Sequence, residues 1–162
     1  MLSRDDVWKP NCTVATVVVK KEAETGEERF LLVEEWSQGR KVLNQPAGHI
    51  EKDESLIDAA IRETLEETRW DVRITAYMGL YINKASERLT YHRHCFIAEP
   101  LNHNPEAELD DGIEDAHWMS WDELQQQQDK MRSEAVLKCF EDYRQGKRYP
   151  LELITDFNHP TA

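Results

Sequence analysis

Residues 48–70 read Gly48-His49-Ile50-Glu51-Lys52-Asp53-Glu54-Ser55-Leu56-Ile57-Asp58-Ala59-Ala60-Ile61-Arg62-Glu63-Thr64-Leu65-Glu66-Glu67-Thr68-Arg69-Trp70. Positions 55–68 form the clearest helix in the chain, opened by Ser55 with Asp58 three residues on, a capping-box signature. Each helical residue advances about 100° around the axis. Leu56, Ile57, Ala60, Ile61 and Thr64 therefore fall on one face, which is expected to pack on a sheet. Glu63, Glu66 and Glu67 stand at i, i+3 and i+4 and share another, exposed face. Like charges at that spacing destabilise an isolated helix by roughly 0.2–0.5 kcal/mol per pair. No lysine or arginine lies four residues beyond any of the three, so something positive is expected there. Clustered carboxylates are a natural platform for Mg2+ or Mn2+. A solvated acidic face is the plainer alternative for the spacing taken alone.

Outward from this helix, Cys12 to Val19 is β-branched and apolar and predicts a buried strand, with Phe30 to Val33 as its hairpin partner beyond a turn at Gly26. Ser37 to Lys41 reads as a loop, and Asn44-Gln45-Pro46-Ala47-Gly48-His49 as irregular backbone. Two further strands are predicted over 72–82 and 89–98, followed by a Pro- and Asp-rich loop over 99–112 and a short strand over 113–119. Ser120 caps a helix beginning at Trp121, and another helix runs from about Ser133 to Arg144 and stops at Gly146. The tail from Lys147 on reads as extended. Interleaved strands and helices make the class mixed α/β, in one layered domain over 1–162.

The composition bounds the function. Hydrophobic residues make up 40% and charged residues 32% of the 162 positions, which excludes collagen-like, low-complexity and disordered chains. Twenty basic against thirty-two acidic side chains give a net charge of −12. Such a chain repels nucleic-acid backbones and anionic lipid, so neither is expected as a partner. The first ten residues hold no apolar signal core, and no apolar run approaches the ~20 residues of a membrane helix. Cys12, Cys95 and Cys139 are widely spaced and form no CxxC pair, so neither a zinc ribbon nor a disulfide framework is indicated. A reduced, cytoplasmic protein is the expectation.

Gly48, Glu54, Arg62, Glu63, Glu66 and Glu67 resemble the Nudix box, G-x5-E-x7-R-E-U-x-E-E-x-G-U, where U is bulky and apolar. Every charged position matches. Thr64 stands at the first apolar position, Arg69 replaces the second glycine and Trp70 the last aliphatic. Glycine at that point usually ends the helix in a left-handed turn, so Arg69 must take that geometry at some cost or the helix must end differently. The resemblance implies an α/β/α sandwich on a mixed β-sheet. It also implies metal-assisted hydrolysis of nucleoside diphosphates linked to another moiety. Carried over, it makes Glu63, Glu66 and Glu67 metal ligands, one of them also a candidate base, with the Ala47 carbonyl beside them. Arg62 orients a glutamate, and Glu54 is more peripheral. A further acid often comes from a later loop. Glu106 to Asp115 holds six acidic residues and no basic one, with Asp111 and Glu114 as the candidates.

Asn44 to His49 and the tail Arg148 to Asn158 are also similar to those of NudJ-type phosphatases, over nearly the whole chain from about Pro10 to Pro160. That likeness implies an Mg2+-dependent monomer that releases phosphate from nucleoside tri- and diphosphates and from hydroxymethylpyrimidine pyrophosphate. Another Nudix specificity (ADP-ribose or dinucleoside polyphosphates) and a non-catalytic nucleotide-binding module are the alternatives. Arg40, Lys41, Arg88 and Arg93 are candidate phosphate contacts, and Trp36, Tyr81 and Tyr91 candidate stacking platforms for a base. Trp118 and Trp121 read as core. His92 and His94 share a strand face without a third zinc ligand, and His49 lies in the box loop. Tyr149 and Asp156 either fold back over the site or pack the terminus down.

Overall fold

The β-branched run at 12–19 sits at the centre of the sheet. In the computed structural model, which describes residues 3–160, it is the middle of β1 (Asn11–Lys21). Met1, Leu2, Thr161 and Ala162, the ends of the expected 1–162 domain, lie outside the described residues. The other strands are β2 (Glu28–Ser37), β3 (Arg40–Asn44), β4 (Ala47–His49), β5 (Trp70–Ser86), β6 (Leu89–His103) and β7 (Ile113–Met119). The helices are α1 (Leu56–Thr68), α2 (Trp121–Gln126) and α3 (Glu134–Arg144). The strand order is β3-β2-β1-β6-β5, with β4 paired to β1 and β7 to β2. Only β1 and β6 run parallel among the named pairs, so the sheet is mixed.

Side-chain alternation along β1 divides the core between the two faces. Val14 and Val18 pack with Ala59 and Ala60 of α1, whereas Ala15 and Val17 pack with Val136, Cys139 and Phe140 of α3. Helices thus cover both faces of the sheet, the expected α/β/α layering. The three cysteines are free. No helix among the described residues is long and apolar enough to cross a membrane.

Four expectations need correction. Residues 99–103 are strand, because the β5–β6 ladder runs on from Ser86↔Leu89 to Trp70↔His103. A register shift between Asp71 and Val72 sits where Pro100 enters the ladder, and a bulge there accommodates a residue with no N–H to donate. Arg40 and Lys41 belong to β3, since Gln38 (φ 50) and Gly39 (φ 78) complete the hairpin turn between them. Ala47–His49 is paired strand: the Pro46 carbonyl accepts the Thr16 N–H at 3.0 Å, and the next three residues continue along β1. The tail is not simply extended. Tyr149 bridges to Tyr77 of β5 through two backbone hydrogen bonds, and a 3-10 turn follows at Leu151–Leu153. Leu151 and Ile154 then pack on the α1-side core.

Candidate active site

The ends of α1 are built as its sequence requires. Ser55 Oγ accepts the Asp58 N–H at 3.0 Å. Arg69 takes the left-handed conformation (φ 64), with its N–H bonded to the Leu65 carbonyl at 2.8 Å. A non-glycine residue is strained there, and tertiary bonds hold it. Arg69 Nε donates to the Ala107 carbonyl, and Asn104 N–H donates to the Arg69 carbonyl.

The buried face of α1 is Ala59, Ala60, Glu63, Thr64, Glu67 and Thr68. Leu56, Ile57 and Ile61 are only half-buried, so the helix is rotated from the expected orientation. Glu63 and Glu67 face inward at 9% and 7% exposure instead of standing on a solvent face with Glu66. Small residues make the rotation possible. Thr64, where the box has an apolar residue, shares a 2.9 Å hydroxyl contact with Thr16 of β1 and donates to the Ala60 carbonyl. Gly48 matters for space: a Cβ there would run into the Glu63 carboxylate.

One guanidinium organises the group. Arg62 donates through Nε to Glu54 at 2.6 Å, through one terminal nitrogen to Glu63 (2.8 Å) and Glu66 (3.1 Å), and through the other to Glu54 and the His49 carbonyl. The positive partner expected near the glutamates thus comes in part from the residue just before them. Arg62 holds the Glu54 carboxyl below its usual range. It does not offset burial at Glu63, whose carboxyl is pushed up by burial and by the charges of Glu66 and Asp110. Glu67 is pushed up to about 8, first by burial and then by the charges of Glu35, Glu63 and Asp110, while the Ala47 N–H at 3.0 Å pulls the other way. Glu63, Glu66 and Asp110 each bring an oxygen within 4.8 Å of the others. An all-carboxylate donor set of this kind suits a hard divalent cation.

The profile of the NUDIX domain matches residues 12–140. The chain belongs to the Nudix family. It is 37% identical over 154 residues to phosphatase NudJ of Escherichia coli K12, covering 95% of this chain and 96% of that protein. The NudJ phosphatase of Shigella flexneri matches to the same extent. A NUDIX hydrolase from Nitrosomonas europaea superposes with a TM-score of 0.84 at 40% identity, over 94% of this chain and 100% of that one. The NUDIX domain of Shewanella oneidensis NrtR, solved with ADP ribose, superposes at 0.70 over 90% of this chain and 93% of that one, but at 17% identity it shares the fold alone. With this family and these relatives, the chain is a Nudix hydrolase acting on phosphoanhydride bonds.

The remaining expected residues fall into separate groups around the Nudix helix. Ala47 meets Glu67 through its N–H. The loop carboxylate that joins Glu63 and Glu66 is Asp110, not Asp111 or Glu114, because the Asp110 N–H is bonded to the Glu66 carbonyl at 3.0 Å. Glu114 instead accepts the Trp36 indole N–H at 2.6 Å and faces Lys41 at 3.7 Å. Trp36, half-exposed, and Lys41, 5.5 Å over its ring, thus form one cluster with Glu114, while Arg40 is exposed at the start of β3. Tyr81 is not free to stack: its hydroxyl donates to Asp142 at 2.7 Å and Lys147 lies 5.0 Å over its ring. His94 is held by the Tyr77 hydroxyl at 2.9 Å and His92 stands against Trp8, so their shared face does not read as a zinc pair. Trp118 and Trp121 are half-buried under Lys20 and Arg144. Arg88 lies in the β5–β6 turn, and Tyr91 stands 6.2 Å from the His49 ring.

Sequence reasoning passed over the buried Glu35 and Asn44, which join the candidate phosphate contact Arg93 to Arg132. Glu35 accepts from Asn44 at 3.0 Å and from Arg132 at 2.7 Å, and Arg93 donates to Asn44 at 3.2 Å. The signal was a charged residue, Glu35, inside an apolar strand.

Proposed function

We propose that the protein is an Mg2+-dependent phosphohydrolase, with Mn2+ as substitute, that releases the terminal phosphate of nucleoside tri- and diphosphates and of small organic pyrophosphates. It acts as a cytoplasmic monomer with 1–162 as one domain. The observation that carries this reading is the convergence of Glu63, Glu66 and Asp110 beside the buried Glu67. These four side chains would hold the cation, with the Ala47 carbonyl at their edge. A cation held there would supply neutralising charge to the phosphate oxygens and lower the pKa of water at the site.

The chain's own residues do the rest. Arg62 fixes Glu63 and Glu66 in place, so little reorganisation is needed as substrate arrives. Glu67, inward-facing and short of positive partners, is the carboxylate placed to accept a proton from the attacking water. Gly48 keeps the Glu63 carboxylate against β4. The exposed Arg40 and the Trp36–Lys41–Glu114 cluster supply a ring face and positive charge for the nucleotide. The name of the NudJ relatives, phosphatase, supports terminal rather than internal cleavage.

Incubation with GTP and Mg2+, followed by chromatography of the products, tests the reading. Orthophosphate and GDP, both abolished by EDTA, are expected. ADP-ribose cleaved to two monophosphates, or a dinucleoside polyphosphate cleaved to two nucleotides, with GTP untouched, would replace this specificity. No turnover of any of them would favour the binding module.

A further inference from the structure

The C-terminal segment folds back across the molecule and ends on the loop that leads into the Nudix helix. After Tyr149 bridges to β5, the chain passes over the α1-side core and reaches residues 50–54. There His159 makes two contacts. Its Nδ1 lies 3.0 Å from Asp156 Oδ2, and its Nε2 lies 3.0 Å from the Asp53 backbone carbonyl. The Asp156 side chain also accepts the Asn158 and His159 N–H groups at 2.9 and 3.0 Å, which fixes the ring's approach.

Both partners of the ring are acceptors. A carbonyl oxygen accepts only, and an ionised carboxylate accepts only. The two bonds therefore form together when both ring nitrogens carry a proton. The charged groups around the ring favour that state. Asp156 comes from its own segment, Asp53 and Glu54 from the loop, and Asp58 from α1. Asp156 and the Asp53 carbonyl raise the His159 pKa.

The gripped residue is not an ordinary loop position. Asp53 has φ 62, the left-handed conformation, which aspartate adopts more readily than most non-glycine residues and which turns its carbonyl toward the ring. The next residue is Glu54, which takes two bonds from Arg62, and Arg62 in turn bonds Glu63 and Glu66.

We propose that His159 is a positioning residue: as imidazolium, it clamps the C-terminal segment to the Asp53 carbonyl and so holds Glu54 and Arg62 in the arrangement that orders the Glu63–Glu66 pair. The clamp is closed while both ring nitrogens carry a proton and loosens as the ring loses its second proton. Its consequence for cation affinity rests on the reading given under Proposed function, whereas its hold on the loop does not.

Hydrogen exchange on the metal-free protein, wild type against His159→Ala, tests the clamp. Exchange of amides over residues 50–55 is expected to speed up several-fold in the variant, with β6 and α3 unchanged. In the wild type, protection of that loop should fall as pH rises through the His159 titration, and in the variant it should not. Equal exchange in the two proteins, or acceleration spread over the whole chain, overturns the proposal. Asp156→Asn keeps an acceptor for the two backbone N–H groups but removes the charge facing the ring. It should move the midpoint of loop protection to lower pH, and an unmoved midpoint also counts against the clamp. Titration with Mn2+ completes the test. Several-fold weaker binding in His159→Ala is expected, and unchanged binding despite a loosened loop breaks the link to Arg62. A wild type that binds no Mn2+ overturns the metal reading instead, and the exchange result still decides the clamp.

Discussion

Glu67 on α1 and Asp142 on α3 both expose little surface, at 7% and 5%, but Glu67 lies deep in the protein and Asp142 near its surface, and their carboxyls move in opposite directions. Burial would raise both. At Asp142 the rise is overcome by hydrogen bonds from Lys138 and Tyr81 and by the charges of Lys138 and Lys147, so its pKa falls. At Glu67 the neighbouring charges are Glu35, Glu63 and Asp110, and only the Ala47 N–H opposes them, so its pKa rises to about 8. One buried carboxylate is balanced within the chain and ties α3 to β5. The other is left short of positive charge, which is the condition for binding a cation from outside.

Exchanging charge for an isosteric amide should separate the two sites most sharply. Glu67→Gln is expected to lower kcat roughly 10²–10³-fold, the size of effect seen when a positioned electrostatic group is lost. In EDTA above about pH 8, where Glu67 is ionised, the same variant should melt at or above the wild-type temperature, since a buried unpaired charge has gone. Asp142→Asn should do the reverse, leaving turnover nearly unchanged and lowering stability by about 1–3 kcal/mol in denaturant titration. If both variants behave alike, the distinction between the two carboxylates fails.

Gly48→Ala probes the crowded side of the cluster without touching a charge. The added methyl must displace the Glu63 carboxylate, and cation affinity should weaken roughly 10- to 100-fold, as when a ligand loses its support. Half-saturation of turnover by Mg2+ measures this. Asp110→Asn should weaken the same quantity by a smaller factor, and Glu114→Gln should leave it unchanged while raising KM through the Trp36–Lys41 contact. A larger Mg2+ effect from Glu114 than from Asp110 would restore Glu114 as the loop ligand.

The smallest effect is in stability against pH. A carboxyl raised from 4.5 to about 8 lends stability that is full below about 4.5 and is lost as pH rises toward 8. Asp142, shifted down, lends stability above the ordinary carboxylate range and loses it as pH falls. Metal-free protein should therefore lose stability between about pH 4.5 and 8 through Glu67. Mg2+ competes with that proton, so the rise in Tm on adding Mg2+ should be larger at pH 8 than at pH 6, as scanning calorimetry can check.

The sequence made some of this legible and hid the rest for physical reasons. The helix from Ser55, the central strand and the two-sided layering all follow from local propensities and spacing, whereas the left-handed end at Arg69 was one of two open outcomes and is held by bonds to Ala107 and Asn104. The rotation of α1 was not legible, because ranking residues by apolarity overlooks that Ala59 and Gly48 permit closer approach than Leu56 or Ile61. The choice of Asp110 among six nearby acids depends on one backbone bond to Glu66, which no periodicity encodes. Tyr81 read as a free ring until α3 brought Asp142 to its hydroxyl.

Crystals soaked in Mn2+ and measured at the manganese absorption edge test the central claim most directly. The account predicts an anomalous peak bounded by carboxylates of Glu63, Glu66, Glu67 and Asp110. A soaked crystal whose manganese lies elsewhere, with those four side chains unliganded, would contradict it.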